Sequence, residues 1–182
     1  MDSDTVASTP RLTLRLHRES DLDRLVAIYS RPDVARYLLE EPWTAESGRV
    51  QLDRRLRRTG LAEPVGALSL VIERAGLAIG AISIWRTEAE RRTVELGWTV
   101  DPEHGGSGYA TEAVSAGLRI AFGQDDVHRV VAQMDARNTS SARLATRVGM
   151  RQEAHHRQDF WSKGEWTDSL VFAMLAGEHP RR

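Results

Sequence analysis

The sequence predicts one α+β domain in which a mixed, mostly antiparallel sheet is covered by helices. Three observations carry that expectation. Strand-like segments follow one another between residues 67 and 100 with only short turns between them. Two amphipathic segments after residue 108 enclose one further strand-like stretch. A length of 182 residues suits one compact core and is too short for two ordinary domains.

Taken in order, residues 1–9 are small and polar and are expected to form a mobile tail before a domain spanning 10–176, with 177–182 as a second tail. From Arg11, Leu12, Leu14 and Leu16 alternate with polar residues, the period of a half-buried strand. Ser20 and Asp23 have capping-box spacing before Leu22, Leu25, Val26 and Tyr29, so a helix is expected that stops near Pro32. A second helix is expected from Thr44 to Thr59 with Gly60 as its stop. Its basic cluster, Arg54, Arg55, Arg57 and Arg58, reads as a solvated helix face.

After Pro64 the residues turn β-branched and aromatic, and strands are expected at 67–73, 77–86 and 93–100. In the last, Val94, Leu96, Trp98 and Val100 share a face, which places Glu95 on the other. Helical periodicity runs from Ala110 to Phe122; a strand at 129–134 follows, then a helix capped by Asn138 and ended by Gly149. Strands at about 150–161 and 166–175 flank Lys163-Gly164-Glu165 as a closing hairpin. The order is β α α β β β α β α β β.

Composition excludes several classes. With 25 Lys and Arg against 26 Asp and Glu, the net charge of -1 gives no global attraction to nucleic acid or an anionic membrane. The absence of cysteine removes disulfides, thiolate metal sites and cysteine nucleophiles. There is no secretory signal pattern and no apolar run of membrane-spanning length, so a cytoplasmic protein is expected. His128, His155 and His156 lack metal-ligand spacing, and no metal is expected.

The informative stretch is HGGSGYATEA, residues 104–113. A glycine-rich turn that opens a helix aims several backbone N–H groups and the positive helix end at one point, which suits a phosphate. There is no Lys for a Walker A loop, and Thr111 stands where a dinucleotide fingerprint needs its third glycine. The pyrophosphate of coenzyme A and a loop without a ligand stay open on local sequence.

The stretch VELGWTVDPEHGGSGYATEA (94–113), followed by NTSSARLATRVGM (138–150), resembles the GNAT superfamily of acyl-CoA-dependent N-acetyltransferases, and within it the branch that acetylates ribosomal-protein N-termini. The resemblance implies a GNAT fold with acetyl-CoA as co-substrate. Its phosphate loop would fall on Gly105, Gly106, Ser107, Gly108, Tyr109 and Ala110, continuing to Thr111. Gly105 replaces the long polar residue usual there, and His104 or an arginine from elsewhere is expected to compensate. The same resemblance assigns Trp98, Thr99 and Val100 to the pantetheine arm through their backbone and gives Asn138, besides its cap, a contact to the pantetheine amide; Arg143, on the next helix turn, is either near the adenosine phosphates or solvated.

Acetyl transfer needs a base to neutralise the amine, a donor for the thioester oxygen and a proton for the departing thiolate. Glu95 matches an acidic position often used in the superfamily; the alternative is a solvated Glu paired with Arg91 or Arg92. Ala145 stands where many relatives carry the acid tyrosine, and Ser141 resembles the serine proposed as acid in the ribosomal-protein branch. Its alternative is a hydroxyl bonded back to its own helix. Tyr37, Trp43 and Trp161 are candidate acceptor-lining residues. A small-molecule or peptide amine is the expected acceptor; homodimers are common in such a family, but the sequence marks no interface. The rival reading is a non-catalytic acyl-CoA-binding module, which would need neither Glu95 nor Ser141.

Overall fold

The computed structural model describes residues 4–62, 66–88 and 92–180, and for Glu88 the backbone alone. Pro64 and Arg91, used above, lie outside the described residues. Nine strands form one sheet in the order β1-β2-β4-β5-β6-β7-β9-β8, with β3 beside β4. The strands are β1 (Thr5–Ser8), β2 (Thr13–Leu16), β3 (Thr59–Gly60), β4 (Ala67–Arg74), β5 (Leu77–Glu88), β6 (Thr93–Val100), β7 (Arg129–Asp135), β8 (Arg151–Ser162) and β9 (Glu165–Leu175). The helices are α1 (Leu22–Tyr29), α2 (Pro32–Ala35), α3 (Ala45–Leu56), α4 (Tyr109–Phe122) and α5 (Thr139–Arg147).

Every pairing is antiparallel except β6 with β7. That parallel ladder covers only Thr93, Val94 and Glu95 against Arg129, Val130 and Val131. Beyond it β6 stays on β5 as far as Val100, while β7 stays on β9 as far as Asp135. The sheet therefore opens down its middle.

Helices cover both faces. On one, α4 brings Gly117 against Ile82 and Leu96, where an added Cβ would lie 3.2 Å from Leu96. Ile82, Val94 and Leu96 are buried there, and a fully buried aliphatic side chain is worth roughly 1.5–3 kcal/mol. On the other, α1 and α3 enclose a smaller cluster of Leu25, Ile28, Tyr29, Val34, Trp43 and Leu52. Glu95, Gly97 and Thr99 look toward that second side.

Several expectations change. Residues 5–8, expected in a mobile tail, form β1 on β2. The segment is short and polar, so only its long-range partner gives it away. Ser20 does not cap α1; it lies in a 3-10 turn, and Asp21 instead accepts the Arg18 N–H at 2.7 Å. Asp21 is buried with Arg15, whose guanidinium binds it through two nitrogens at 2.8 and 2.9 Å and reaches Glu73 at 2.6 Å. These partners hold the Asp21 carboxyl below its usual range against the opposing pull of burial. Pro32 starts α2 rather than merely ending α1, as its fixed φ allows. The second helix begins at Thr44 as expected, with Thr44 as its N-cap, yet it stops at Leu56, because Thr59 and Gly60 turn back to pair with Leu68 and Ala67. At the C-terminal end, His179 packs on Phe122 with ring centroids 5.0 Å apart, within the segment expected as a tail.

Candidate active site

The local chemistry of the glycine loop begins at Asp101. This carboxylate is buried, pairs with Arg24 and accepts the Glu103 N–H at 3.1 Å, so it fixes the 3-10 turn of residues 102–104 that delivers the glycines. Gly106 and Gly108 take φ of 75° and 78°, the left-handed region that glycine enters without strain. Gly105 answers to a different constraint. A Cβ there would sit 2.9 Å from the Pro102 carbonyl, which already accepts the Gly105 N–H at 2.9 Å. A long side chain cannot be placed at 105 without moving backbone.

Gly108 is the N-cap of α4 and offers no side chain to cap it. The N–H groups of Tyr109, Ala110 and Thr111 thus lack acceptors within the helix and border a cavity of about 750 Å³. Arg11 enters this cavity from the β1–β2 connection. Its Nη1 donates to the Ser107 carbonyl at 2.8 Å, its Nε to Glu112 at 2.7 Å, and its guanidinium lies 4.6 Å from the Tyr109 ring centre. Glu112 also accepts from the Arg11 N–H and the Thr9 hydroxyl. The N-terminal segment is thereby tied to the loop. Arg147 and His104 border the cavity too, whereas Arg143 is exposed and lines neither this cavity nor the cleft described next. Ser107 itself does not border the space.

The opening between β6 and β7 forms a second space, a cleft of about 730 Å³. Leu96, Gly97, Trp98 and Thr99 line it from β6, and Ala132, Gln133, Met134 and Asp135 from β7. Trp98 does double duty, since it also packs against the main core. Val100 belongs to the phosphate cavity, so β6 leads from one space toward the other. Glu95 sits where the strands part, half-buried, with the Gln133 backbone N–H as donor; burial raises its carboxyl above the usual range despite that bond. Arg92 does not pair with it. Its guanidinium goes to the Asp126 and Asp125 carbonyls at 2.6 and 3.0 Å.

Asn138 and Ser141 reach the same cleft from α5. Asn138 caps the helix, its Oδ1 accepting the Ser141 N–H at 3.1 Å. The Ser141 hydroxyl has no protein partner among the described residues, while Thr146 on the same helix does bond back to its backbone. The cleft therefore gathers Glu95, Trp98, Thr99, Asn138, Ser141 and Tyr37.

Two expected lining residues fall elsewhere. Trp43 is buried beneath α1 and α3, stacked on Tyr29 at 4.4 Å with its Nε1 donating to Glu40. Trp161 is exposed on the closing hairpin and meets Trp166 edge to face at 5.4 Å. Arg54, Arg55 and Arg58 line the cleft instead. Ser83 does as well, at the end of a buried chain in which His17 Nε2 meets Ser69 Oγ at 3.1 Å and Ser69 meets Ser83 at 3.1 Å. Burial and the charge of Arg55 push the His17 imidazole down to about 3, so it is neutral.

This pairing of a glycine turn that opens a helix with a split sheet is accompanied by a match in sequence. The acetyltransferase (GNAT) domain model covers residues 11–151. The chain belongs to the GNAT acetyltransferase family. Among curated relatives, the uncharacterized N-acetyltransferase YnaD of Bacillus subtilis is 27% identical over 171 residues, covering 94% of this chain and 97% of that protein. A GNAT acetyltransferase structure from Bacillus anthracis superposes with a TM-score of 0.84 at 26% identity, covering 94% of this chain and 98% of the other. RimL, a ribosomal L7/L12 α-N-protein acetyltransferase solved with coenzyme A, has the same fold, with a TM-score of 0.82 at 18% identity and coverage of 94% and 98%. Among the described residues no helix is long and apolar enough to cross a membrane.

Proposed function

We propose that this acetyltransferase moves the acetyl group of acetyl-CoA to a primary amine, on a protein N-terminus or a small molecule, by direct attack within a ternary complex. The observation that carries the reading is the convergence of Glu95, Asn138 and Ser141 on the cleft between β6 and β7. Acetyl-CoA supplies the activated acetyl thioester. The uncapped N–H groups of Tyr109, Ala110 and Thr111 suit its pyrophosphate oxygens, and Arg11 adds positive charge at the same cavity. Arg11 thus takes the place of the long polar residue that Gly105 lacks. Past Glu95, the β6 edge has no β7 partner and offers backbone groups to an extended pantetheine arm.

Glu95 takes the proton of the acceptor's ammonium. Its carboxyl, raised by burial, is a better proton acceptor than that of an exposed glutamate. Ser141 holds a hydroxyl proton for the departing thiolate, and the capping bond from Asn138 fixes the helix turn that carries it. The buried neighbourhood of Glu95 limits water at the transfer point.

Melting curves with acetyl-CoA and thiol release over a panel of amines test this. Acetyl-CoA should raise the melting temperature, because it binds the folded state alone. Absence of a shift at about 1 mM together with no thiol release from any amine would sink the reading.

A further inference from the structure

Arg54, Arg57 and Arg58 are exposed, as expected of a solvated basic face. Gln51, Arg54 and Arg55 lie on one side of α3 at i, i+3 and i+4 and line the cleft that contains Glu95, and Arg58, two residues past the helix end, lines it too. Arg57 does not border the cleft and pairs with Asp53 at 2.7 Å.

Among the cleft arginines, Arg55 is committed internally. It donates to the Tyr29 hydroxyl at 3.0 Å and lies 4.4 and 4.8 Å from the Tyr29 and Trp43 ring centres. Arg54 and Arg58 have no carboxylate or hydrogen-bond partner for their guanidinium groups among the described residues. Arg36, from the end of α2, adds a further cation over Tyr37.

The carboxylates of the cleft do not balance this wall. Glu40 accepts from Trp43, Asp135 is held by Arg137 at 2.7 Å, and Glu95 lies on the sheet at the point where the strands part. Four guanidinium groups face three carboxylates, two of them already engaged, in a protein whose net charge is only -1. Like charges gathered along one wall of a cleft raise the local concentration of anions and favour an anionic ligand over a cationic one.

We infer that the acceptor amine carries an anionic group of its own, a carboxylate or phosphate, which Arg54 and Arg58 bind while the amine reaches Glu95. Guanidinium groups suit both oxyanions because their planar donors match paired oxygens. A polyamine meets the opposite field and is disfavoured.

This inference rests on the acetyl-transfer reading of the cleft, and its test separates the two. Thiol release is measured with acetyl-CoA and four acceptors: a peptide with Asp and Glu behind its N-terminal residue, the same peptide with Gln and Asn, O-phosphoserine, and spermidine. An anionic acceptor should exceed the neutral peptide by about tenfold in kcat/KM, and spermidine should rank last. Whether the peptide or O-phosphoserine leads tells a macromolecular from a small acceptor. The R54Q/R58Q double variant should raise KM for the anionic acceptor about tenfold with kcat little changed, while R57Q stays at the wild-type level. Equal or better turnover of the neutral peptide or spermidine overturns the inference, as does a double variant with unchanged KM.

Calorimetry of the four acceptors with the CoA-saturated protein decides the matter without turnover. Preference for the anionic acceptors with no thiol release breaks the acetyl-transfer reading and keeps this one. Thiol release without that preference does the reverse.

Discussion

The two ends of the site handle charge in opposite ways. At the phosphate end, Arg11 is tied to Glu112 and the Ser107 carbonyl, and Asp101 is buried against Arg24. At the proposed acceptor end, Arg54 and Arg58 stand along the cleft without a side-chain partner among the described residues. On the proposed reading, the first end would meet its ligand with backbone N–H groups held in place beforehand, so the loop would lose little freedom on binding. The second presents exposed charges to a ligand still to come. An unvarying ligand rewards rigid geometry, and a discriminated one rewards a field.

The largest effect is expected where the two ends meet. Glu95→Gln should lower kcat about 10²- to 10⁴-fold and leave the acetyl-CoA melting shift intact. In the wild type, kcat/KM should rise with pH through an inflection above the ordinary glutamate value, because Glu95 works ionised and burial raises its pKa. Activity in the variant close to wild type would remove Glu95 from the chemistry.

The phosphate end gives the next effect. Arg11→Ala should raise KM for acetyl-CoA about tenfold with a smaller change in kcat. Gly105→Arg restores the side chain that relatives favour, yet the 2.9 Å approach of its Cβ to the Pro102 carbonyl should displace the loop and also raise that KM. Tighter binding in Gly105→Arg would mean that the turn yields easily and that preorganisation is not what separates the two ends.

The smallest effect concerns the floor beneath the cleft. His17 has its pKa lowered to about 3, so between that value and the unfolded value near 6.5 the unfolded chain binds the extra proton. Its contribution is therefore lost as pH falls below about 6.5, amounting to roughly 2 kcal/mol between pH 7 and 5. His17→Gln should flatten the loss of melting temperature across that interval. An unchanged slope would assign the acid sensitivity to other groups, such as His179, whose imidazole burial also lowers.

What was legible in the sequence was local. Ala75-Gly76 and Lys163-Gly164 take positive φ and close the two hairpins where turn chemistry placed them, and α4 follows its periodicity from Tyr109 to Phe122. The side of the sheet that Glu95 takes was legible from strand alternation and the cap at Asn138 from helix chemistry, whereas the roles proposed for Glu95 and Ser141 come from the family resemblance. Long-range placement was not legible. Trp43 reads as a lining aromatic until Tyr29 is known to stack on it. Arg11 could not be tied to the glycine loop before β1 and β2 brought it there, although Gly105 had raised the expectation that His104 or an arginine from elsewhere compensates. The orientation of α3 follows from the burial of Gly48 and Leu52, and only that packing turns Arg54 and Arg58 toward the cleft.

The short β6–β7 ladder has a consequence for solubility as well as for binding. Open strand edges invite pairing with other chains, and proteins usually guard them at the rim of a sheet. Here two such edges lie inside the molecule and diverge from Glu95, flanked by α5 and the closing hairpin. On the proposed reading, an extended pantetheine arm entering between them would be received as an added strand, so the same feature that elsewhere is an aggregation hazard would serve as a seat.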